Sequence, residues 1–125
     1  MITKSKIFPI ANENLTVQIL DLIEIASSFK LIKKGANEAV KNIKKGKVEL
    51  LVLASDSDPI EIVLHLPLLC EDRSIPYIFI NSKISIGKAC GINRGIVACC
   101  IMESINLDLN KQIKCLKKRM ELEFF

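Results

Sequence analysis

Residues 50–61 read Leu50-Leu51-Val52-Leu53-Ala54-Ser55-Asp56-Ser57-Asp58-Pro59-Ile60-Glu61, and the fold turns on how that stretch is parsed. Its first five residues form a short, continuous apolar run, which suits a strand covered on both faces. A helix start follows. Asp58 has the side chain of an N-cap, Pro59 fits the first helical position, and Glu61 completes a capping box. A two-sided buried strand feeding a helix is the building unit of an α/β domain.

Working outward, the same alternation recurs. Upstream, Leu15, Ile19, Leu22, Ile23 and Ala26 fall at helical spacing and predict a helix over Asn14–Ser28. A short extended piece is expected over Phe29–Ile32. A second helix opens at Lys34-Gly35-Ala36-Asn37-Glu38, runs to about Lys45 and stops at Gly46. Downstream of Glu61, Ile62, Val63, Leu66 and Leu69 continue the helix, which Pro67 kinks or restarts. Tyr77–Ile80 reads as a strand, and Ser82 caps a helix over Lys83–Ala89. Gly91–Gly95 form a loop, Ile96–Ile101 a further strand. Asn106 caps a last helix carrying Leu109, Ile113, Leu116 and Met120. Strands alternating with helices place helices on both sides of one sheet.

The chain has 125 residues, half of them apolar, enough for one domain with a real core and no second one. The net charge is only +4, but its distribution is uneven. Lys30, Lys33, Lys34, Lys41, Lys44, Lys45 and Lys47 are interrupted by a single acid, Glu38. That clustering is the footprint of phosphate binding or of a solvated lysine-rich helix face. The five cysteines are odd in number and lack C-x-x-C spacing; with one histidine, they read as free, mostly buried thiols rather than a zinc site. Cys99 and Cys100 should point to opposite faces of their strand. Met1–Lys6 lacks a signal-peptide core, and Ile60–Cys70 is too short to span a bilayer. A soluble nuclear or cytoplasmic protein is expected.

Enzyme chemistry finds little support. Gly46-Lys47 and Gly87-Lys88 lack the earlier glycine and the following Ser or Thr of a phosphate-binding loop, and no G-x-G-x-x-G occurs. His65, the one histidine, sits among apolar residues, though a pairing with Cys90 or Cys99 in space stays open at this point. The acids Asp56, Asp58, Glu61, Glu71 and Asp72 do not match a calcium loop. The strongest local constellation is Lys33-Lys34-Gly35-Ala36-Asn37-Glu38-Ala39-Val40-Lys41. A glycine opens a helix whose first turn groups Asn37, Glu38 and Lys41. Free N–H groups there attract phosphate, Asn and Glu match base edges, and Gly35 allows close backbone approach.

Lys34-Gly35-Ala36-Asn37-Glu38-Ala39 resembles the signature of the kink-turn RNA-binding proteins, a family that includes ribosomal and small nucleolar RNP proteins. The likeness continues through Asp58-Pro59-Ile60-Glu61-Ile62, His65-Leu66-Pro67-Leu68-Leu69-Cys70-Glu71-Asp72, Ile75-Pro76-Tyr77 and Gly87-Lys88-Ala89-Cys90-Gly91-Ile92-Asn93-Arg94. It covers nearly the whole chain in order. The stretch His65–Asp72 and the loop at Cys90–Arg94 point to the eukaryotic branch shared by box C/D small nucleolar particles and the U4 particle.

The resemblance implies a three-layer α/β/α sandwich with a small mixed sheet of about four strands, filling residues 1–125 as one domain. It implies no catalysis, cofactor or metal. The expected ligand is a sharply bent helix–bulge–helix RNA with tandem sheared G·A pairs, in U4 small nuclear RNA and box C/D small nucleolar RNA. By resemblance, Gly35, Asn37, Glu38 and Lys41 contact the G·A pairs and adjoining backbone, with Lys34 beside them. Asp58, Ile62, Lys83, Arg94 and Val97 match the pocket for one turned-out nucleotide. Ile92 and Arg94 lie in the loop that tunes RNA choice. Expected partners are the methyltransferase-carrying small nucleolar core and a U4-specific splicing factor; the expected location is nucleus and nucleolus, and the free protein a monomer. Three departures stand out: Asp58 replaces a longer glutamate, Asn93 a smaller serine, and Gly95 a proline, which should loosen the loop. The rivals are a ribosomal or H/ACA relative, a small Cys/His enzyme, and a pure protein-interaction module.

Overall fold

A computed structural model of the chain describes residues 8–124; the Met1–Lys6 stretch read above lies outside the described residues. The elements run α1 (Glu13–Ser28), β1 (Ile32–Lys34), α2 (Ala36–Lys45), β2 (Val48–Ala54), α3 (Glu61–Leu64), α4 (Leu66–Asp72), β3 (Tyr77–Ile80), α5 (Lys83–Ala89), β4 (Ala98–Met102) and α6 (Leu107–Phe124). The four strands form one mixed sheet in the order β1-β4-β2-β3. β2 pairs parallel with β3, and β4 lies antiparallel to both β2 and β1.

The sheet is covered on both faces. Alternate residues of β2 and β4 divide between two cores, as the pleat requires. Leu50, Val52, Cys99 and Ile101 pack under α1, α5 and α6, against Leu15, Ile19, Ile86 and Ile113. Leu51, Leu53, Ala98 and Cys100 face the other way, against Ala39, Ile43, Leu66 and Cys70 of α2 and α4. Cys99 and Cys100 thus point apart as expected. The three-layer α/β/α reading holds, and two of the three side-chain caps expected from the sequence are in place. Ser85 N–H donates to the Ser82 hydroxyl at 3.1 Å, and Leu109 N–H to the Asn106 carboxamide at 3.0 Å.

Asp58 is the exception. It does not cap a helix, and Glu61 closes no capping box. The backbone after it makes tight turns, with Ile62 N–H donating to Pro59 C=O and Val63 N–H to Ile60 C=O. Helix α3 begins only at Glu61, with Ile60 as its uncapped flank. The Asp58 carboxylate is left exposed in the loop. The helix then breaks at His65 and restarts with Pro67 in its first turn, where the missing N–H costs nothing. The first strand also lies later than expected, at Ile32–Lys34 rather than Phe29–Ile32. Phe29 ends α1, its N–H bonded back to Ala26 C=O.

Four of the five thiols are buried; Cys115 is exposed. Burial, reinforced by neighbouring negative charge, pushes Cys70 and Cys100 up from 9.0 to about 12. Between those values the unfolded chain loses these protons while the native chain keeps them. Stability should therefore fall as pH rises from 9 to 12. Denaturant midpoints across that window check this: they should drop progressively, and replacing both residues by alanine should flatten the drop. In the native chain at neutral pH, a thiol reagent should react rapidly at Cys115 alone.

Candidate nucleic-acid interface

Strand directions decide where the candidate residues fall. β2 and β3 run the same way, β4 runs against them, and β1 runs against β4. The carboxyl ends of β1, β2 and β3 and the amino end of β4 therefore share one end of the sheet. Lys34 closes β1 there, and Gly35, Asn37, Glu38 and Lys41 follow on α2. Asp58 and Ile62 follow β2. Lys83 opens α5 after β3, and Ile92, Arg94 and Val97 lead into β4. These four segments meet at that end, with Lys41 farther along α2 and Ile92 past the far end of α5.

Backbone hydrogen bonds join the segments. Gly35 N–H donates to Ala98 C=O at 2.8 Å, which fastens the α2 start to the first residue of β4. Ala54 N–H donates to Val97 C=O at 2.9 Å, joining the end of β2 to the same place. Ile96 N–H donates to Lys83 C=O at 3.0 Å. Val97, Ala36, Val40 and Ile60 all pack against the core on the α2 side of the sheet. Lys34 pairs with Cys99 across the β1–β4 ladder and shares its face, the side of α5. Lys34 thus bridges the two halves of the site.

The α2 start is open to a ligand. Gly35 holds φ 97°, ψ 154° and provides no side-chain cap, so the first N–H groups of the helix stay available. Asn37, Glu38 and Lys41 are exposed. Among the described residues the ion pairs are Glu49–Lys117 and Arg119–Glu123, both involving α6. Among the described residues, Lys33, Lys34, Lys41, Lys83 and Arg94 form no ion pair. Ile62 keeps 39% of its surface exposed, an apolar contact beside the exposed Asp58.

Backbone hydrogen bonds tie the loop before β4 to α5. Gly91 N–H donates to Lys88 C=O and Ile92 N–H to Gly87 C=O, each at 3.0 Å. Ile92 is only partly exposed and packs on the core under α1 and α5. It anchors the loop as well as facing outward. Sequence reading passed over three supporting residues. Asp56 accepts from Lys83 N–H at 2.9 Å and fixes the start of α5. Asn42, buried, donates its amide to Glu38 C=O at 2.7 Å inside α2. Gly87 is a buried glycine within a helix, a signal that was available in the sequence.

The enzyme reading loses its geometry. Cys99 belongs to the core under α1, α5 and α6, and Cys90 joins it there. His65 lies exposed at the α3–α4 junction, on the opposite layer. The sheet stands between them. Among the described residues, no group of three or more His, Cys, Asp or Glu is arranged to hold a metal, and no helix is long and apolar enough to cross a membrane.

The model of the ribosomal protein L7Ae/L30e/S12e/Gadd45 family matches residues 18–109, well over half of the chain. The chain belongs to this family. Within the L7Ae family it is 50% identical over 116 residues to the 13 kDa ribonucleoprotein-associated protein of Mycosarcoma maydis, covering 93% of this chain and 92% of that one. It is 45% identical to the small nuclear ribonucleoprotein associated homolog 13 of Caenorhabditis elegans, over 93% of this chain and 91% of that one. Its fold matches the solved Giardia lamblia 15.5kD RNA binding protein with a TM-score of 0.89 and 41% identity, covering 94% and 96% of the two chains. These relatives are named as ribonucleoprotein components or as RNA binding, not as enzymes.

Proposed function

We propose that this chain binds kink-turn RNA and stabilises its bent form, nucleating assembly of box C/D small nucleolar and U4 particles in the nucleus and nucleolus. The observation that carries this is the meeting, at one end of the sheet, of an uncapped glycine-led helix start with an Arg94-bearing loop and unneutralised lysines. The helix start offers N–H groups, amide and carboxylate to paired bases; the loop and β2 end offer apolar and cationic contact to a turned-out nucleotide. Membership of the L7Ae family and the ribonucleoprotein names of its relatives support the reading.

In this account Asn37, Glu38 and Lys41 decide whether a kink-turn binds, and Ile92, Arg94 and Val97 decide which one. Binding selects a bent conformer from the RNA's own equilibrium, and the complex then presents a composite surface to the small nucleolar core proteins and a U4-specific factor. In this account the free protein is a monomer and binding calls for no cofactor.

The test is immunoprecipitation of the tagged chain from cells followed by sequencing of bound RNA. U4 and box C/D RNAs should be enriched. Enrichment of ribosomal or H/ACA RNA instead would move the chain to the other branch, and no RNA enrichment would overturn the proposal.

A second expectation concerns the lysines. Neutralising one of Lys33, Lys34, Lys41 or Lys44 that touches a phosphate should lower the slope of log affinity against log salt by about one unit or slightly less. Titrations at several salt concentrations measure it. Slopes identical to wild type for all four substitutions would make the cluster a solvated face.

A further inference from the structure

We infer that Gly87 is a positioning residue for RNA selectivity: lacking a Cβ, it lets the Arg94 carbonyl seat against α5 and so sets where Ile92 and Arg94 meet the RNA. The inference rests on the kink-turn reading and adds to it a residue that touches no RNA.

A Cβ built on Gly87 would lie 1.9 Å from the Arg94 carbonyl oxygen and 3.0 Å from its carbon. Both are backbone atoms, so no side chain can swing aside to make room. Helix propensity does not explain the glycine, since alanine is the better helix former. Close approach does. The Gly87 carbonyl also accepts the Ile92 N–H at 3.0 Å, so one residue of α5 holds the loop from two sides.

A second contact lies one turn earlier on the same helix. A Cβ on Gly95 would come within 2.8 Å of Lys83 Cγ and 3.0 Å of Cδ. The lysine stem therefore lies against the Gly95 backbone, and Lys83 C=O accepts the Ile96 N–H at 3.0 Å. Asp56 in turn fixes the Lys83 N–H at 2.9 Å. The loop is laid along α5 at residues 83 and 87, and Lys83, Ile92 and Arg94 reach the site in a set relation to one another. A pre-set loop discriminates among ligands without first losing conformational freedom.

The experiment has one arm without RNA and one with it. In the free protein, amide hydrogen exchange at Ile92 should be slow and should speed up at least roughly tenfold in Gly87→Ala, while Leu51 in the central strand stays protected. In the second arm, wild type and Gly87→Ala are titrated against kink-turns that differ only in the turned-out nucleotide. The variant should still prefer kink-turns to straight duplex but compress the spread among them by about fivefold or more, the low end of what one well-placed base contact discriminates. Unchanged exchange at Ile92, or faster exchange with an unchanged spread of affinities, overturns the inference and leaves the kink-turn reading standing. A wild type that does not separate kink-turn from duplex overturns the reading itself.

Loss of Leu51 protection in Gly87→Ala would mark a change in folding as a whole. Gly95→Ala then decides, because the nearest atoms to its added methyl belong to the Lys83 side chain rather than to backbone. It should compress the spread of affinities among the kink-turns as Gly87→Ala does, since both lift the loop from α5. An unchanged spread would overturn the inference.

Discussion

Glu38→Ala is expected to weaken kink-turn binding by about 1–3 kcal/mol, the range for a lost base-edge contact, with little change in folding stability. The side chain is exposed on the first turn of α2, and neither ion pair among the described residues uses it. What Glu38 gives to the fold is its backbone carbonyl, which accepts the Asn42 amide and survives the substitution. The sign of the effect is informative. Glu38 is the sole acid among seven lysines between residues 30 and 47, so long-range electrostatics alone would make its removal strengthen RNA binding. A loss of affinity requires a direct role: a carboxylate accepting from the imino and amino groups of a guanine, which would be left unpaired in a desolvated interface. Titration of wild type and variant at one salt concentration separates the cases. Unchanged or tighter binding would remove Glu38 from the site.

Gly35→Ala is expected to cost roughly 1–3 kcal/mol of folding stability, the scale for a non-glycine residue held in a sparsely populated backbone conformation. Gly35 lies at φ 97° and ψ 154°, a region L side chains avoid. The cost is conformational rather than steric, because an added Cβ would meet no atom within 4 Å. The alternative, relaxing φ, would strain the 2.8 Å bond from Gly35 N–H to Ala98 C=O and tilt the α2 start away from β4. RNA affinity should therefore fall along with stability. Denaturant unfolding gives the first quantity and a kink-turn titration the second. Stability within about 0.5 kcal/mol of wild type, the usual span of a neutral surface change, would show that this conformation is not required.

These two residues illustrate how much of the site could be read without coordinates. Gly35, Asn37 and Glu38 share one turn of one helix, so their grouping follows from sequence spacing alone. The grouping of that helix with Asp58, Lys83 and Arg94 does not. It depends on β4 entering the sheet between β1 and β2, a non-local pairing that no local pattern encodes. Family likeness supplied it instead. Strands β2 and β3 were legible because burial leaves continuous apolar runs at Leu50–Ala54 and Tyr77–Ile80. Strand β1 was misplaced because it is an edge strand with exposed Lys33 and Lys34, while the more apolar Phe29 closes α1 and is 52% exposed. The Asp58 cap failed for a different reason. The residue type was right for a cap, but the chain spends Pro59 and Ile60 on a turn before the helix begins. The tie between α5 and its loop went unread because the decisive feature, a missing Cβ at Gly87 against a carbonyl seven residues on, is a tertiary contact.

The most direct test of the central claim is a titration of the wild-type chain against two RNAs that differ only at the tandem G·A pairs, one kink-turn and one with those pairs changed to Watson–Crick pairs. The account predicts that the kink-turn binds tighter by at least about 4 kcal/mol, the low end of the gap between specific and non-specific binding in nucleic-acid recognition, and that Glu38→Ala narrows the gap. Equal affinity for the two RNAs, both lost alike as salt is raised, would contradict it and leave only a basic surface attracted to phosphate.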